Sequence, residues 1–281
     1  MELSSLHFIL IFSTVAFVIG CGIYAARSVN SAEGYSLGGR SAGITLVTGS
    51  IAGTCVGGGA TIGTSQMAYT LGLSAWWFTI GTGLSLILMG LFYARPLRRT
   101  SLTTIPQYLV LNYGKAAGSI TSVVSSLGIL FSAVASALPG IQMIAAILGV
   151  SSWIAACLLI LLVASYVFFG GMRTAGVGGI LKMIVVWISL FMAGGSAILA
   201  LHSNIPQIQT ALPDFPWYSF FGGGMDTAAA SILSLVVGML CTQTYIQAIF
   251  SAANPRTASI SAFTAALIVI PVGLPCTAIG M

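Results

Sequence analysis

The chain has 281 residues, 57% of them hydrophobic and 5% charged, with a formal net charge of +5. A soluble domain carries roughly a quarter of its residues as charges, so these proportions exclude a water-facing surface and, with it, a soluble enzyme. No Lys/Arg run interleaved with aromatics is present, so no nucleic-acid partner is expected.

Lipid is therefore the main solvent, and the chain is read as one transmembrane domain over 1–281. A span needs roughly 20 mostly apolar residues. In chain order the spans are expected at 6–24, 44–70, 73–94, 118–147, 151–169, 177–201, 226–250 and 258–281. The first carries Glu2 where a secretory signal would carry positive charge, and no small-residue cleavage site follows, so it reads as a retained anchor. The apolar runs are continuous rather than alternating, which argues for helices and against a barrel. The 34 glycines suit helices that pack backbone against backbone.

The connections set the orientation. Arg27 and Arg40 follow the first span; Arg95, Arg98, Arg99 and Lys115 follow the third; Arg173 and Lys182 flank the link to the sixth; Arg256 follows the seventh. These are all 9 basic residues, and all fall on or near odd-numbered connections. The positive-inside rule then predicts cytoplasmic odd loops and an outside N-terminus.

Span two contains Gly53-Thr-Cys-Val-Gly-Gly-Gly-Ala-Thr61. Three consecutive glycines each weaken a helix by about 1 kcal/mol relative to alanine, and the polar residues Thr54, Thr61, Thr64, Ser65 and Gln66 surround them. Two readings stay open: a glycine-rich packing face, or an unwound segment whose free carbonyls hold a cation and whose free N–H groups meet a solute. Span seven holds a possible counterpart, Gly238 followed by Cys241-Thr-Gln-Thr-Tyr-Ile-Gln247. There Gln243 is expected to face a cavity, while Gln247 lies near the cytoplasmic end. The two interruptions run in opposite senses, as an inverted repeat requires.

Little else carries chemistry. Cys21, Cys55, Cys157, Cys241 and Cys276 read as small packing residues, with no C-x-x-C pair. His7 and His202 have no metal-spaced partners, and Asp214 and Asp226 belong to an outer Pro- and Gly-rich loop. No enzyme, metal centre or cofactor is expected beyond a coupling ion. The last span stops at Met281 without a polar tail, which is read as a partial product.

Four landmarks in order resemble the sodium:solute symporter family, which includes sodium/glucose and sodium/proline cotransporters. They are Glu33-Gly-Tyr-Ser-Leu-Gly-Gly-Arg40, Thr104-Ile-Pro-Gln-Tyr108, Gly170-Gly-Met-Arg173 and Gln243-Thr-Tyr-Ile-Gln247. Val56-Gly-Gly-Gly59 and the stretch from Gly81 to Arg98 most resemble the choline-transporting branch. The resemblance implies an all-α, LeuT-like, five-plus-five inverted-repeat fold behind one extra helix. Spans two to six would form the first repeat, and seven and eight would begin the second.

The resemblance also implies a sodium site on the carbonyls of Gly53 and Val56, with its hydroxyl ligands on a ninth helix beyond these residues. Solute-facing positions carried over are Cys55, Ala60, Thr79 and Thr82, with Gly57, Gly58 and Thr61 in the broken stretch and Gln243 nearby. Two departures stand out. The residue before Val56-Gly-Gly-Gly is aromatic in the choline branch but Cys55 here, which argues against choline, whose cation favours aromatic faces. The family's T-D-x-x-Q at the start of the sixth helix reads Gly178-Gly-Ile-Leu-Lys182, so Gly179 replaces the acid and Lys182 the glutamine.

Lys182 has two open readings. It snorkels to the surface, or its ammonium points inward and replaces the coupling ion, since a buried lysine can exchange its proton near physiological pH. The function expected is sodium-coupled symport of a small organic solute by alternating access in the cell membrane. The alternatives are a proton-coupled or sodium-independent transporter using Lys182, and a transporter-like sensor module of a larger signalling protein.

Overall fold

A computed structural model describes residues 5–27, 29, 31–211 and 217–281; Glu2 and Asp214 lie outside them. Thirteen α-helices follow one another: α1 Ser5–Ala26, α2 Ala32–Leu37, α3 Ile44–Cys55, α4 Thr64–Leu71, α5 Trp77–Leu88, α6 Ala94–Arg99, α7 Ile105–Tyr113, α8 Lys115–Leu148, α9 Ser152–Ala211, α10 Met225–Cys241, α11 Gln243–Ser251, α12 Pro255–Val269 and α13 Gly273–Gly280. Among the described residues the one β-type pairing is an isolated parallel bridge, Ala42 with Ala252.

Four helical stretches are long and apolar enough to cross a bilayer: Gly59–Arg99, Lys115–Leu148, Gly171–Asn204 and Pro255–Gly280. The pair α10 and α11, bent by 51°, makes a fifth if taken as one span. Shorter apolar helices, such as Ile44–Cys55, account for other expected spans.

Helix α9 is kinked at Gly171 (φ 51°, ψ −135°), and the stretch beyond the kink, Gly171–Asn204, is the one long enough to cross. The third span is led in by a 3₁₀ turn at Gly72–Trp76 and runs on through α6 to Arg99. Charged residues at its end lie in solvent reach, so the helix need not stop where its apolar run does.

Local chemistry explains the landmarks. Thr104-Ile-Pro-Gln107 is a capping box: the Gln107 N–H meets the Thr104 hydroxyl, the Gln107 side chain accepts from the Thr104 N–H, and Pro106 sits in the first turn. Ser31 caps α2 by accepting from Gly34 N at 3.0 Å, and Glu33 then pairs with Arg40 at 2.7 Å. In the double glycine, Gly171 has a positive φ, and a Cβ there would run into the Tyr35 carbonyl. Only glycine meets both conditions.

The core is built from small residues. Helix α3 lies between α9 and α12, α12 also packs on α5, and α13 packs on α4 and α9. Ile51, Ala52, Ala262, Ala265, Val269, Ile249 and Phe250 are fully buried where these helices meet. Helix α8 faces outward instead: Ile120 is 65% exposed and Phe131 69%. For an apolar helix of 34 residues, lipid is the environment that fits.

Candidate functional site at the helix interruptions

Helix α3 ends at Cys55. Val56 (φ −85°, ψ 70°) then makes an inverse γ-turn, with Gly57 N donating to Cys55 O at 3.0 Å. The chain resumes as a π-helical turn at Gly59–Gly63 before α4. A continuous helix would have spent the Gly57 N–H on Gly53 O. Because that N–H turns to Cys55, the Gly53 carbonyl is left for another partner.

That partner is Lys182. Its Nζ donates to Gly53 O at 2.8 Å. The stem of the side chain is exposed along α9 while the head reaches the broken end of α3. The carbonyl end of a helix carries partial negative charge, so an ammonium is well placed there. The ammonium thus points to the end of α3.

Glycine packing makes the reach possible. A Cβ on Gly53 would fall 2.5 Å from Gly179 Cα, and one on Gly49 2.8 Å from Gly176 O. A Cβ on Gly179 would collide with the Gly49 carbonyl. The helices touch through backbone, the small-residue mode of membrane packing. An aspartate at 179 has no room.

The second interruption meets the first. Thr242 is extended (φ −83°, ψ 121°) between α10 and α11. Helix α11 packs on α3, and Cys55 and Tyr245 lie against the same buried core. The two interrupted segments are thus in contact through α3 and α11, and the Lys182 ammonium of α9 lies on the broken end of α3. Tyr245 carried no sequence signal of its own beyond lying in the polar cluster of span seven.

The other expected site residues divide. Val56 is fully buried, and Gly57, Gly58 and Thr61 are partly exposed at the break. The Thr61 hydroxyl is spent on Gly57 O at 3.0 Å. Thr64, one turn on, is buried with its hydroxyl unpartnered among the described residues.

Four further expected solute-facing positions are buried. Ala60 is 1% exposed. Thr79 donates to the Ile270 carbonyl at 3.2 Å, tying α5 to the turn before α13. Thr82 donates to Phe78 O at 2.8 Å within its own helix. Gln243 is 9% exposed and uses its whole amide on backbone, accepting from Ile105 N at 2.8 Å and donating to Thr103 O at 3.2 Å. Its cost in an apolar helix is offset by bracing the turn before α7, and the residue also lines two grooves, one with Phe92 and Ile246 and one with Ser122.

The same end of the molecule is closed by further contacts. Gln247 Nε2 donates to Ser36 O at 2.7 Å, and Arg98 donates to the carbonyls of Ala252 and Ala253 at the end of α11. Gln247 is one of the ties.

Comparison with known proteins agrees with this architecture. The human high affinity choline transporter 1 is 27% identical over 275 residues, covering 92% of this chain and 47% of that protein. The Caenorhabditis elegans high-affinity choline transporter 1 is 25% identical, covering 94% of this chain and 47% of its own length. The chain thus spans about half the length of the curated relatives it matches. A solved Na+-coupled sialic acid symporter in a substrate-bound outward-open state shares the fold, with a TM-score of 0.80 at 16% identity over 99% of this chain and 60% of that one. The all-α inverted-repeat architecture, complete in its first repeat and partial in its second, is therefore the fold of this multi-pass membrane protein. The profile of the sodium:solute symporter family matches residues 35–280, from the turn before the second span to the last helix, and the chain belongs to that family.

Proposed function

We propose that the protein moves a small organic solute across the cell membrane by alternating access, with sodium as the coupling ion. Eight crossings at the positions read from the sequence, with the N-terminus outside, belong to this proposal. The observation that carries it is the pair of interrupted helices, broken at Val56 and at Thr242, with α3 and α11 packed on each other. Non-helical backbone at membrane depth is tolerated only inside protein or beside a cavity, and paired discontinuous helices are how transporters build sites for ions and solutes. The carbonyls at Gly53 and Val56 would face the ion, and Cys55, Gly57, Gly58 and Thr61 the solute. The relatives are named for choline, but a thiol in place of an aromatic ring supports a different solute.

The test is uptake by the full-length protein in liposomes under an inward sodium gradient. The solute is chosen by thermal stabilisation across sugars, amino acids, vitamins and quaternary amines. Sodium-stimulated uptake is expected, driven by about 2.3 kcal/mol per charge per 100 mV. No cation-stimulated uptake of any stabilising solute would overturn the proposal.

A second reading rests on one observation, the Lys182 ammonium 2.8 Å from Gly53 O. In it the ammonium takes the place of the ion, and transport is proton-coupled or sodium-independent. Uptake that follows an inward proton gradient and ignores sodium would support it.

A further inference from the structure

Away from the interruptions, one groove combines a long apolar wall with two arginines that have no ion pair among the described residues. It lies where α1 meets the second half of α9, has a volume of about 710 Å3, and is lined by Phe17, Gly20, Cys21, Tyr24, Arg27, Arg173 and Val177. The α1 residues form one stripe at helical spacing. Gly20 provides the floor: a Cβ there would meet nothing within 4 Å. Phe17 and Tyr24 stand on either side, 61% and 77% exposed. Beneath, the Thr174 hydroxyl donates to Gly22 O at 3.2 Å and holds the two helices together.

The two arginines are exposed and share the groove. Among the described residues the only ion pair is Arg40 with Glu33, and neither Arg27 nor Arg173 makes a side-chain hydrogen bond. Two guanidinium groups lining one groove repel unless an anion joins them. An arginine fork matches a phosphate, whose oxygens take paired N–H donors. Basic pockets between transmembrane helices on the cytoplasmic side bind anionic headgroups, and the charge pattern assigns Arg27 and Arg173 to that side.

We infer that this groove is a binding site for an anionic glycerophospholipid, with one acyl chain along Phe17, Gly20 and Tyr24 and the phosphate between Arg27 and Arg173. The phosphate supplies the charge complement, and the acyl chain covers the exposed aromatic wall. The site is separate from the helix interruptions and does not depend on the transport reading.

The experiment reconstitutes the full-length protein in nanodiscs and measures retained lipid by native mass spectrometry, titrating phosphatidylglycerol against phosphatidylcholine. Wild type is expected to hold phosphatidylglycerol selectively, and R27Q/R173Q to bind it about thirty-fold more weakly, the factor for two surface arginines. Gly20→Leu fills the groove without touching charge and is expected to weaken binding too, which keeps the test informative if the double variant folds poorly. Arg256→Gln, a basic residue elsewhere, is expected to bind as wild type does. Equal retention by wild type and both groove variants, or equal retention of the two lipids, would overturn the inference. So would displacement of the lipid by millimolar inorganic phosphate, which would make the site one for a free anion.

Discussion

Replacing Lys182 separates the two ways of charging the broken helix. A hydrogen bond from a charged donor contributes about 1.5–3 kcal/mol, and a cation at a helix carbonyl end adds about 0.3–1 kcal/mol. The contact between Nζ and Gly53 O therefore holds the ammonium by roughly 2 kcal/mol, about a thirty-fold factor in affinity. A sodium ion approaching Gly53 O must displace it. Lys182→Gln is expected to bind sodium about thirty-fold more tightly than wild type, read as the sodium dependence of thermal unfolding and of uptake by the full-length protein. Lys182→Met, which offers no donor, should shift in the same direction. If wild type and both variants respond to sodium over the same concentration range, the ammonium does not compete for the ion's place and the argument fails.

Three further outcomes follow from the packing. Gly179→Ala puts a Cβ against the Gly49 carbonyl, so it should lower stability by about 1–3 kcal/mol in thermal unfolding; unchanged unfolding would mean that α3 and α9 are not in backbone contact. Gln243→Leu removes both ties to the turn at Thr103 and Ile105 and strands a backbone N–H, costing about 1–3 kcal/mol and speeding proteolysis or hydrogen exchange in that turn; a protection pattern like wild type would contradict the bracing role. Arg98→Ala combined with Gln247→Ala cuts the contacts to Ala252, Ala253 and Ser36, so Cys55 should react faster with a membrane-impermeant thiol reagent applied from the cytoplasmic side; an unchanged rate would show that these contacts do not close that end.

Much of the architecture was legible because lipid is an unforgiving solvent. The bilayer demands long apolar runs and penalises charge, so a helical membrane architecture could be read from composition alone. The three glycines announced the interruption at Val56 because glycine is a poor helix residue, and the polar cluster after Gly238 announced the second one at Thr242. The destinations of polar side chains were not legible. Thr79, Thr82 and Gln243 looked like residues waiting for a solute, but each found a backbone carbonyl or N–H nearby. A sequence shows that a buried amide needs partners; it does not show whether a neighbouring turn supplies them. The capping box at Thr104 was the exception, since its spacing of three is written in the chain.

Gly179 and Lys182 are best understood as one change rather than two. Residues 46, 49 and 53 of α3 meet residues 176, 179 and 182 of α9 in the same order along both helices, so the two run parallel. This is the sense expected for two spans that both start from the basic side. Each step of three or four residues advances the contact by one helical turn. An acidic side chain at 179 would push the helices apart, and a lysine one turn further on would then fall short of Gly53. With glycine there, the backbones close and the ammonium lands on the carbonyl that the break has freed. The loss of a negative group and the gain of a positive one act on the same spot, and both raise the positive charge where a coupling ion would sit. Gly179→Ala should therefore reproduce part of the Lys182→Gln effect on sodium dependence by moving the ammonium away. If Gly179→Ala weakens stability but leaves sodium dependence at the wild-type value, the two positions act independently.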